Sequence, residues 1–403
     1  MKAKNNYAPI IAFIISPILS FPLIMDLIAS RRRYAYTLLA IIMGLVVYMY
    51  EPILSRDLAR YYLVFEEVAK FTSVKELLWL LEYKGDYFLY SFSFLLSRVG
   101  LDFQFYVLIV TIFNMLLLFS IYKDIIKAYF LTKQKNIILF GFFIAMVGLG
   151  WVIGVSRQFT AFALIAYCYY FGIIKREKTP NFIILASMLI HFSSVGLILI
   201  YFTAKYIPIK QNLIKVVFYA SFTMYFIPNN FIKTIISTNI LTSSYFSESD
   251  VYSDKLEAYT LTANDERLEE INNAKEIVKI RRLLFGTLPF LMLVAITIFS
   301  KILFDKFYYF LFIFINMTYG FTSIHGRHLS FLFIVFAIFY IKQTLEKKEE
   351  KFYFIIPFFY MILLFTNFYL LYKKDLQNIF FSKNILNWIS ILTKEINYDT
   401  LPL

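Results

Sequence analysis

The chain alternates between long apolar runs and short polar loops. Runs such as Tyr34 to Tyr50, Ile137 to Trp151, Leu283 to Phe299 and Phe352 to Leu371 are long enough to cross a bilayer as α-helices. Barrel strands would instead need short segments of alternating hydrophobicity. With about ten such runs, the pattern predicts an all-α, polytopic integral membrane protein with about ten transmembrane helices.

The composition supports this class. Of 403 residues, 60% are hydrophobic, 20% aromatic and only 17% charged, which leaves little room for a soluble fold. The first run, Ala8 to Met25, has no small-residue cleavage site before Arg31, so we interpret it as a retained helix and not a signal peptide. The single cysteine, Cys168, lies in an apolar run and supports neither a disulfide nor a cysteine-based metal site.

The net charge of +13 is distributed over loops and not over a soluble domain, so we expect no nucleic-acid partner. Lysine and arginine concentrate in five short loops. These are Arg31 to Arg33, Lys123 to Lys135, Lys175 to Lys178, Lys205 to Lys215 and Lys342 to Lys351. Because short cytoplasmic loops are enriched in basic residues, all five are predicted to be cytoplasmic.

Two apolar segments must then enter and leave the membrane on one side. Tyr87 to Leu96 is too short to span and is predicted to be a re-entrant or interfacial helix. Phe182 to Phe202 is interrupted at His191, Ser193 and Ser194, and each half of about ten residues would reach about 15 Å, half a bilayer. We predict a hairpin with His191 at its tip, bordering the substrate site. An ordinary span with a buried, serine-bonded histidine is the alternative.

The opposite, outer side then holds the segment 51–86, the loop 229–282 and two turns, 154–157 and 323–328. The loop is the most hydrophilic stretch of the chain and ends at Arg281 and Arg282, which could meet either lipid phosphate or substrate phosphate. We treat 1–372 as one transmembrane domain that includes these outer parts. Residues 373–403 are predicted to form an amphipathic tail at the outer interface.

Charged and aromatic residues crowd the first outer segment. Arg56, Asp57, Arg60, Tyr61 and Tyr62 follow a span directly, and several of them fall on neighbouring turns if the segment is helical. Such a patch can bind sugars through aromatic faces and carboxylates. An interfacial salt bridge beside an aromatic belt would have the same pattern.

Two further motifs place arginines at outer turns. Arg157 and Gln158 lie between apolar runs with no acid nearby in the sequence, and Arg327 lies between His325 and His328. One interpretation is that Arg157 faces lipid and extends its guanidinium to the membrane–water interface. A second is a phosphate site, because the planar guanidinium matches phosphate oxygens, and two arginines from separate helices would suit a lipid-linked diphosphate. Only three histidines occur, so zinc is weakly supported and we expect no metal.

At these motifs the chain resembles the EpsG-like branch of Wzy-type polysaccharide polymerases. Arg56 to Tyr62, Arg157-Gln158, His191 to Ser194 and Arg327 occur in the order and spacing of that family. The resemblance covers residues 30 to 345, and the family's long outer loop corresponds to 229–282. In the family the aspartate motif usually follows a glycine-containing turn, whereas here it follows Glu51-Pro52. The resemblance therefore supports a role for Asp57 less strongly than a role for Arg157.

The resemblance implies transfer of a growing glycan from undecaprenyl diphosphate to the non-reducing end of a new lipid-linked repeat unit. Arg157 and Arg327 would stabilise the diphosphate leaving group. His191 or Asp57 would take the proton of the acceptor hydroxyl, with His191 favoured because a neutral imidazole is cheaper at membrane depth than a carboxylate. Tyr61 and Tyr62 would hold sugar rings. The remaining candidate substrate-binding residues are Arg56, Arg60, Gln158, Ser194, Arg281, Arg282, His325 and His328.

The expected setting is a bacterial cytoplasmic (inner) membrane, with the active site facing the periplasm or the cell exterior. The expected partners are the undecaprenyl-diphosphate oligosaccharide, the lipid bilayer, a chain-length regulator and a flippase, and no cofactor is expected. The product would be a surface polysaccharide such as O-antigen, capsule or exopolysaccharide. Three alternatives stay open: an O-antigen ligase with the same donor, a repeat-unit flippase without catalysis, and a membrane-bound acyltransferase.

Overall fold

The chain folds into helices throughout the part that the structure describes. A computed structural model gives residues 7–50, 57–84, 86–148, 156–179, 181–227, 284, 287–299, 304–319, 322–347, 355–380 and 387–392. These residues form 17 α-helices and no strand, so the predicted all-α class is confirmed for them.

The helices are α1 (Ala8–Ile15), α2 (Phe21–Ala29), α3 (Arg33–Tyr48), α4 (Asp57–Ala69), α5 (Val74–Lys84), α6 (Tyr87–Arg98), α7 (Phe103–Lys127), α8 (Lys133–Val147), α9 (Ser156–Cys168), α10 (Asn181–Ile190), α11 (Val195–Tyr206), α12 (Gln211–Ser221), α13 (Leu288–Phe299), α14 (Lys306–Met317), α15 (Thr322–Lys347), α16 (Ile355–Phe380) and α17 (Trp388–Leu392). A π-helical turn occupies Tyr169–Ile174, and 3-10 turns occupy Phe192–Ser194 and Phe222–Phe226.

Two of these helices have the length and hydropathy of a complete membrane span. They are α7, with 25 residues, and the part of α15 from Ile324 to Glu346, with 23 residues. The described residues also form shorter apolar helices of 10–17 residues, among them α3, α10, α13 and α14. The number of about ten spans therefore stays a prediction.

The helix predicted over Ala8 to Met25 is wrong as a single element. The chain forms α1 and α2 with a break between them, where Ser16 adopts an extended conformation (φ −145°, ψ 93°). Pro17 and Pro22 explain the break, since proline lacks the N–H that a continuous helix needs and fits only in the first turn. Ser20 donates from its hydroxyl to the Pro17 carbonyl at 2.6 Å and closes the turn.

The core is built around α7, against which α3 and α9 pack over long stretches. Asp102 caps α7 by accepting a hydrogen bond from the Phe105 N–H at 3.2 Å. Gly44 lets α3 approach closely, because a Cβ there would lie 2.7 Å from Cγ1 of Ile112. Close packing of this kind replaces the hydrophobic effect as the force between helices in lipid.

The interrupted apolar segment Phe182 to Phe202 forms a hairpin, as predicted. Helix α10 ends at Ile190, His191 is extended (φ −153°, ψ 115°), and α11 begins at Val195 after a 3-10 turn. The two ends of the hairpin next to the lysine-rich loops meet, since the Tyr206 hydroxyl donates to Oδ1 of Asn181 at 3.3 Å. Each arm is about 15 to 18 Å long, which is about half the thickness of the hydrocarbon core of a bilayer.

All five lysine-rich loops lie at one end of the molecule. The Arg31 guanidinium donates to the carbonyl of Tyr129, which joins the first two loops. Lys175 pairs with Asp124 at 3.0 Å, and Lys342 lines a cavity with Lys127 and Lys175. Lys205 of the fourth loop lines another cavity with residues 176–179. The grouping of these loops is confirmed, and their cytoplasmic placement stays a prediction.

The outer turn predicted at 323–328 is helical. Helix α15 begins at Thr322, so the His325-Gly-Arg327-His328 motif forms its first two turns. At the chain's end, α16 runs continuously to Phe380, past residue 372. Helix α17 packs back on the domain, where the Tyr48 hydroxyl donates to the Leu392 carbonyl at 3.0 Å and Nε1 of Trp388 donates to the Phe13 carbonyl at 3.2 Å.

Candidate active site

The guanidinium of Arg157 is held between an acid and an aromatic ring. Arg157 is in the first turn of α9, where its Nη1 forms an ion pair with Oδ2 of Asp86. Its Cζ lies 4.6 Å from the centre of the Tyr61 ring, a cation–π distance. The side chains of Arg157 and Asp86 are only 18% and 24% exposed. Three helices, α4, α6 and α9, therefore hold one cation in a partly dry site.

Asp86 is the residue of this candidate site that the sequence did not reveal. It occupies the N-cap position of α6, where an aspartate ordinarily accepts a hydrogen bond from its own helix. Its side chain makes no such cap, because the carboxylate turns to Arg157 instead. The one sequence signal was an isolated acid at the start of an apolar helix, a pattern that a cap explains equally well.

Arg327 brings a second positive charge to the same phenol. Burial raises the pKa of Tyr61, which is only 3% exposed. The charge of Arg157 is the main influence against that rise, the charge of Asp57 adds to the rise, and Arg327 acts more weakly in the same sense as Arg157. Both arginines that the sequence analysis singled out are thus near enough to act on this phenol, with Arg157 in contact and Arg327 farther away.

The rest of the predicted patch on α4 divides between two faces. Asp57 pairs with Arg60 at 3.7 Å, and the Arg60 side chain is 78% exposed, so it points away from Arg157. Tyr62 is buried on the other face, with its ring 5.7 Å from that of Phe103 at the start of α7. The acid beside Arg157 is therefore Asp86 and not Asp57.

Gln158 is completely buried beside Arg157. Neither the oxygen nor the nitrogen of its amide has a hydrogen-bond partner among the described residues, and the same holds for Nε of Arg157. Leaving such groups buried and unpaired costs about 1–3 kcal/mol each, so the start of α9 is a place where polar groups are available for a ligand.

The hairpin tip packs against α9, the helix that begins with Arg157, and against the start of α15. Nδ1 of His191 accepts from the Ser193 N–H at 3.2 Å and lies 2.7 Å from the Ser193 hydroxyl. Ser194 is buried, with its hydroxyl 3.4 Å from that of Ser187. Ser193 also lies beside the ring of His328, which packs 6.2 Å from Phe162. Phe162 is five residues, about 7.5 Å, along α9 from Arg157.

His325 and His328 face different neighbours. Nδ1 of His325 is 3.0 Å from the Ile315 carbonyl, and the ring is surrounded by Tyr225, Phe290 and Tyr319. Nδ1 of His328 is 2.7 Å from the Ile324 carbonyl of its own helix. Their placement makes them packing residues of the α15 start, with His328 adjoining the hairpin tip.

Two predicted features lie outside the described residues: Arg56, and the outer loop 229–282 with Arg281 and Arg282 at its end.

A family model matches this chain over residues 33–382, and it is the model of the EpsG family. The chain belongs to the EpsG family. This is the family of Wzy-type polymerase-like proteins, as the motifs predicted. No curated protein and no solved structure matches the chain.

The residues matched by the family model include every described element of the site. Asp86, Arg157, the hairpin tip and Arg327 all lie within the matched residues. Together with the apolar helices, the match indicates a membrane protein of polysaccharide biosynthesis with glycosyltransferase-like activity.

Proposed function

We propose that this EpsG-family protein polymerises lipid-linked oligosaccharide repeat units. It would transfer a growing glycan from undecaprenyl diphosphate to the non-reducing end of a new lipid-linked repeat unit, at the outer side of a bacterial cytoplasmic membrane. The observation that carries this proposal is the Arg157 guanidinium held between Asp86 and the Tyr61 ring beside unpaired buried polar groups, with the charge of Arg327 acting on the same phenol.

The two arginines suit the departing diphosphate. When the anomeric C–O bond to phosphate breaks, the electron pair leaves with undecaprenyl diphosphate, and negative charge grows on its oxygens. Guanidinium groups that are already oriented in a partly dry site stabilise such charge strongly. Asp86 holds Arg157 in place before the donor arrives and neutralises a charge that would otherwise be costly to bury.

The acceptor hydroxyl attacks the anomeric carbon and loses its proton as the new C–O bond forms. His191 is the proposed base. Because the Ser193 N–H can only donate, Nδ1 of His191 carries the lone pair, and the 2.7 Å contact lets the Ser193 hydroxyl donate to it as well. The proton of the acceptor can thus pass to Ser193 Oγ while the Ser193 proton passes to Nδ1. Asp57, paired with the exposed Arg60, is the less favoured base.

The buried amide of Gln158 would bind a sugar hydroxyl next to the diphosphate. An amide offers both a donor and an acceptor, which is the usual requirement for recognising a hydroxyl pair on a sugar.

The chain-length regulator and the flippase remain proposed partners, since both would act on the same lipid-linked glycan.

The test is reconstitution of the purified protein in vesicles with synthetic undecaprenyl-diphosphate repeat units. A polymerase releases one undecaprenyl diphosphate for each bond formed and produces a ladder of lengths. A ligase requires added lipid A core and gives a single transfer, whereas a flippase moves the lipid across the bilayer with no new bond. Release of undecaprenyl diphosphate without a ladder, or transport without release, would overturn the proposal.

A further inference from the structure

One face of α7 runs from apolar to basic without interruption. Ile109, Phe113 and Leu116 are 38%, 45% and 37% exposed, although most of α7 is buried. Continuing at the same spacing of three and four residues, Ser120, Lys123 and Lys127 occupy the next turns. Residues at this spacing share one helix face. The exposed stripe therefore leads from the membrane-facing middle of α7 to its lysine-rich end.

The basic end of this stripe opens into a cavity of about 590 Å³. Its other wall is the start of α3, with Arg32 and Arg33, and Phe171 closes one side. The guanidinium of Arg31 is occupied at the end of α7, where it donates to the carbonyl of Tyr129. Arg31 thereby ties the two walls together.

The cavity holds more positive charge than the protein neutralises. Its one acid, Asp124, is already bound by Lys175 at 3.0 Å and by the Tyr170 hydroxyl at 2.8 Å. In the described part of the chain, no ion pair involves Arg32, Arg33, Lys123 or Lys127. Four cations around one concave surface attract an anion, and each Lys or Arg near a membrane surface contributes to binding of acidic lipid.

We propose that this cavity binds the headgroup of an anionic phospholipid, with an acyl chain lying along the stripe of Ile109, Phe113 and Leu116. A soluble anion would use the cations but not the stripe, whereas a phospholipid uses both. The site is separate from the arginine pair at Tyr61. It lies at the opposite end of α7, where Lys123 is about 30 Å along the helix axis from Phe103, the residue that contacts Tyr62.

The experiment is native mass spectrometry of the full chain in a non-ionic detergent, titrated with phosphatidylglycerol. Lys123→Gln with Lys127→Gln should weaken binding of one phosphatidylglycerol by about 10- to 30-fold, because each lysine near the surface contributes about a fivefold factor. Lys210→Gln with Lys215→Gln is the matched control. It removes the same charge from the same end of the molecule but outside this cavity, and should leave that affinity unchanged.

Arg32→Gln with Arg33→Gln, at two exposed positions, repeats the test if the lysine variant is unstable. Phosphatidylcholine should not be retained, and inorganic phosphate should not displace phosphatidylglycerol. Equal retention by the lysine variant and its control, or equal retention of phosphatidylcholine, would overturn the proposal. Displacement by inorganic phosphate would also overturn it, by showing a site for soluble anions.

Discussion

At the scale of single residues, the site depends on how the charged guanidinium of Arg157 contacts two side chains from other helices. Arg157 donates to Asp86 and lies over the face of Tyr61. Two aspartates at other helix starts, Asp102 and Asp305, accept hydrogen bonds from their own helices, whereas Asp86 does not. An aspartate that orients an arginine instead of capping its own helix, as Asp86 does, is expected where function and not helix stability selects the residue.

Replacing Asp86 by asparagine should lower both stability and polymer yield. Removing one partner of a half-buried ion pair leaves the arginine uncompensated, at a cost of about 1–3 kcal/mol. The thermal unfolding midpoint of the purified variant should fall by several degrees, and polymer formation by about tenfold or more.

The exchanged pair, Asp86→Arg with Arg157→Asp, separates the two effects. It should recover much of the lost thermal stability, because the ion pair can re-form, but not the polymer, because the cation no longer faces the donor. Recovery of polymer by the exchanged pair would contradict a direct role of Arg157 at the diphosphate.

Tyr61 should contribute chiefly through its ring. Tyr61→Phe keeps the face that Arg157 contacts, whereas Tyr61→Leu removes a cation–π interaction of about 0.5–2 kcal/mol. Polymerisation rates measured in vesicles should therefore fall little for Tyr61→Phe and up to about 30-fold for Tyr61→Leu. A larger loss in the phenylalanine variant than in the leucine variant would assign the function to the hydroxyl.

The arginines could be predicted from the sequence, and their partner could not. An arginine that interrupts apolar runs is costly in lipid, so Arg157 and Arg327 stood out as functional candidates. Asp86 lies in a short polar connection where acids are common. It meets Arg157 only because α6 packs against α4 and the Arg157 side chain lies over Tyr61 of α4. A contact between two residues that are far apart in the sequence produces no local pattern in a single sequence.

At the scale of elements, the hairpin of α10 and α11 places His191 and Ser193 beside α9, the helix that carries Arg157. Its break was readable because His191, Ser193 and Ser194 interrupt an otherwise apolar run. The predicted turn at 323–328 is instead the start of α15, where burial of His328 against Phe162 and Phe314 supports a helix. Ala8 to Met25 is continuous in hydrophobicity but not in structure, because its prolines interrupt the helix.

The hairpin tip supplies the next prediction. His191→Asn keeps an acceptor for the Ser193 N–H, so the hairpin should fold, but it removes the base. The rate of transfer should fall by about 10²- to 10⁴-fold, the usual contribution of a general base, while donor affinity measured by binding stays unchanged.

Ser193→Ala should slow transfer as well, because the proton relay through its hydroxyl is lost. The same rate in His191→Asn as in the wild type would move the role of base to Asp57 or to the substrate itself. Weakened donor binding in His191→Asn would instead indicate a structural role for the tip.

At the scale of the whole molecule, charge is divided between two ends. The lysine-rich loops meet at one end of α7, and Tyr62, next to the arginine site, contacts Phe103 at the other. The sequence predicted this division from loop charge alone, because the positive-inside rule needs no knowledge of packing. It could not predict how many helices fully span, since short helices of 10–17 residues differ little from broken spans by hydropathy.

The orientation of the two ends can be tested by cysteine labelling. The only native cysteine, Cys168, is buried, so Cys168→Ser provides a clean background. In that background Lys70→Cys, which follows α4, should react with an impermeant maleimide added to intact cells. Lys178→Cys and Lys210→Cys, at the two ends of the hairpin, should react only after permeabilisation. Labelling of only one of these two in intact cells would contradict a hairpin.

The most direct measurement is the ladder of products that reconstituted protein forms from undecaprenyl-diphosphate repeat units of its own host. Wild type, Arg157→Ala and Arg327→Ala would be compared with Arg98→Ala, which removes an exposed arginine at the end of α6. The account predicts a full ladder from wild type and Arg98→Ala, and unpolymerised repeat units from the other two variants at equal protein level. A ladder of normal length from folded Arg157→Ala protein would contradict the diphosphate site.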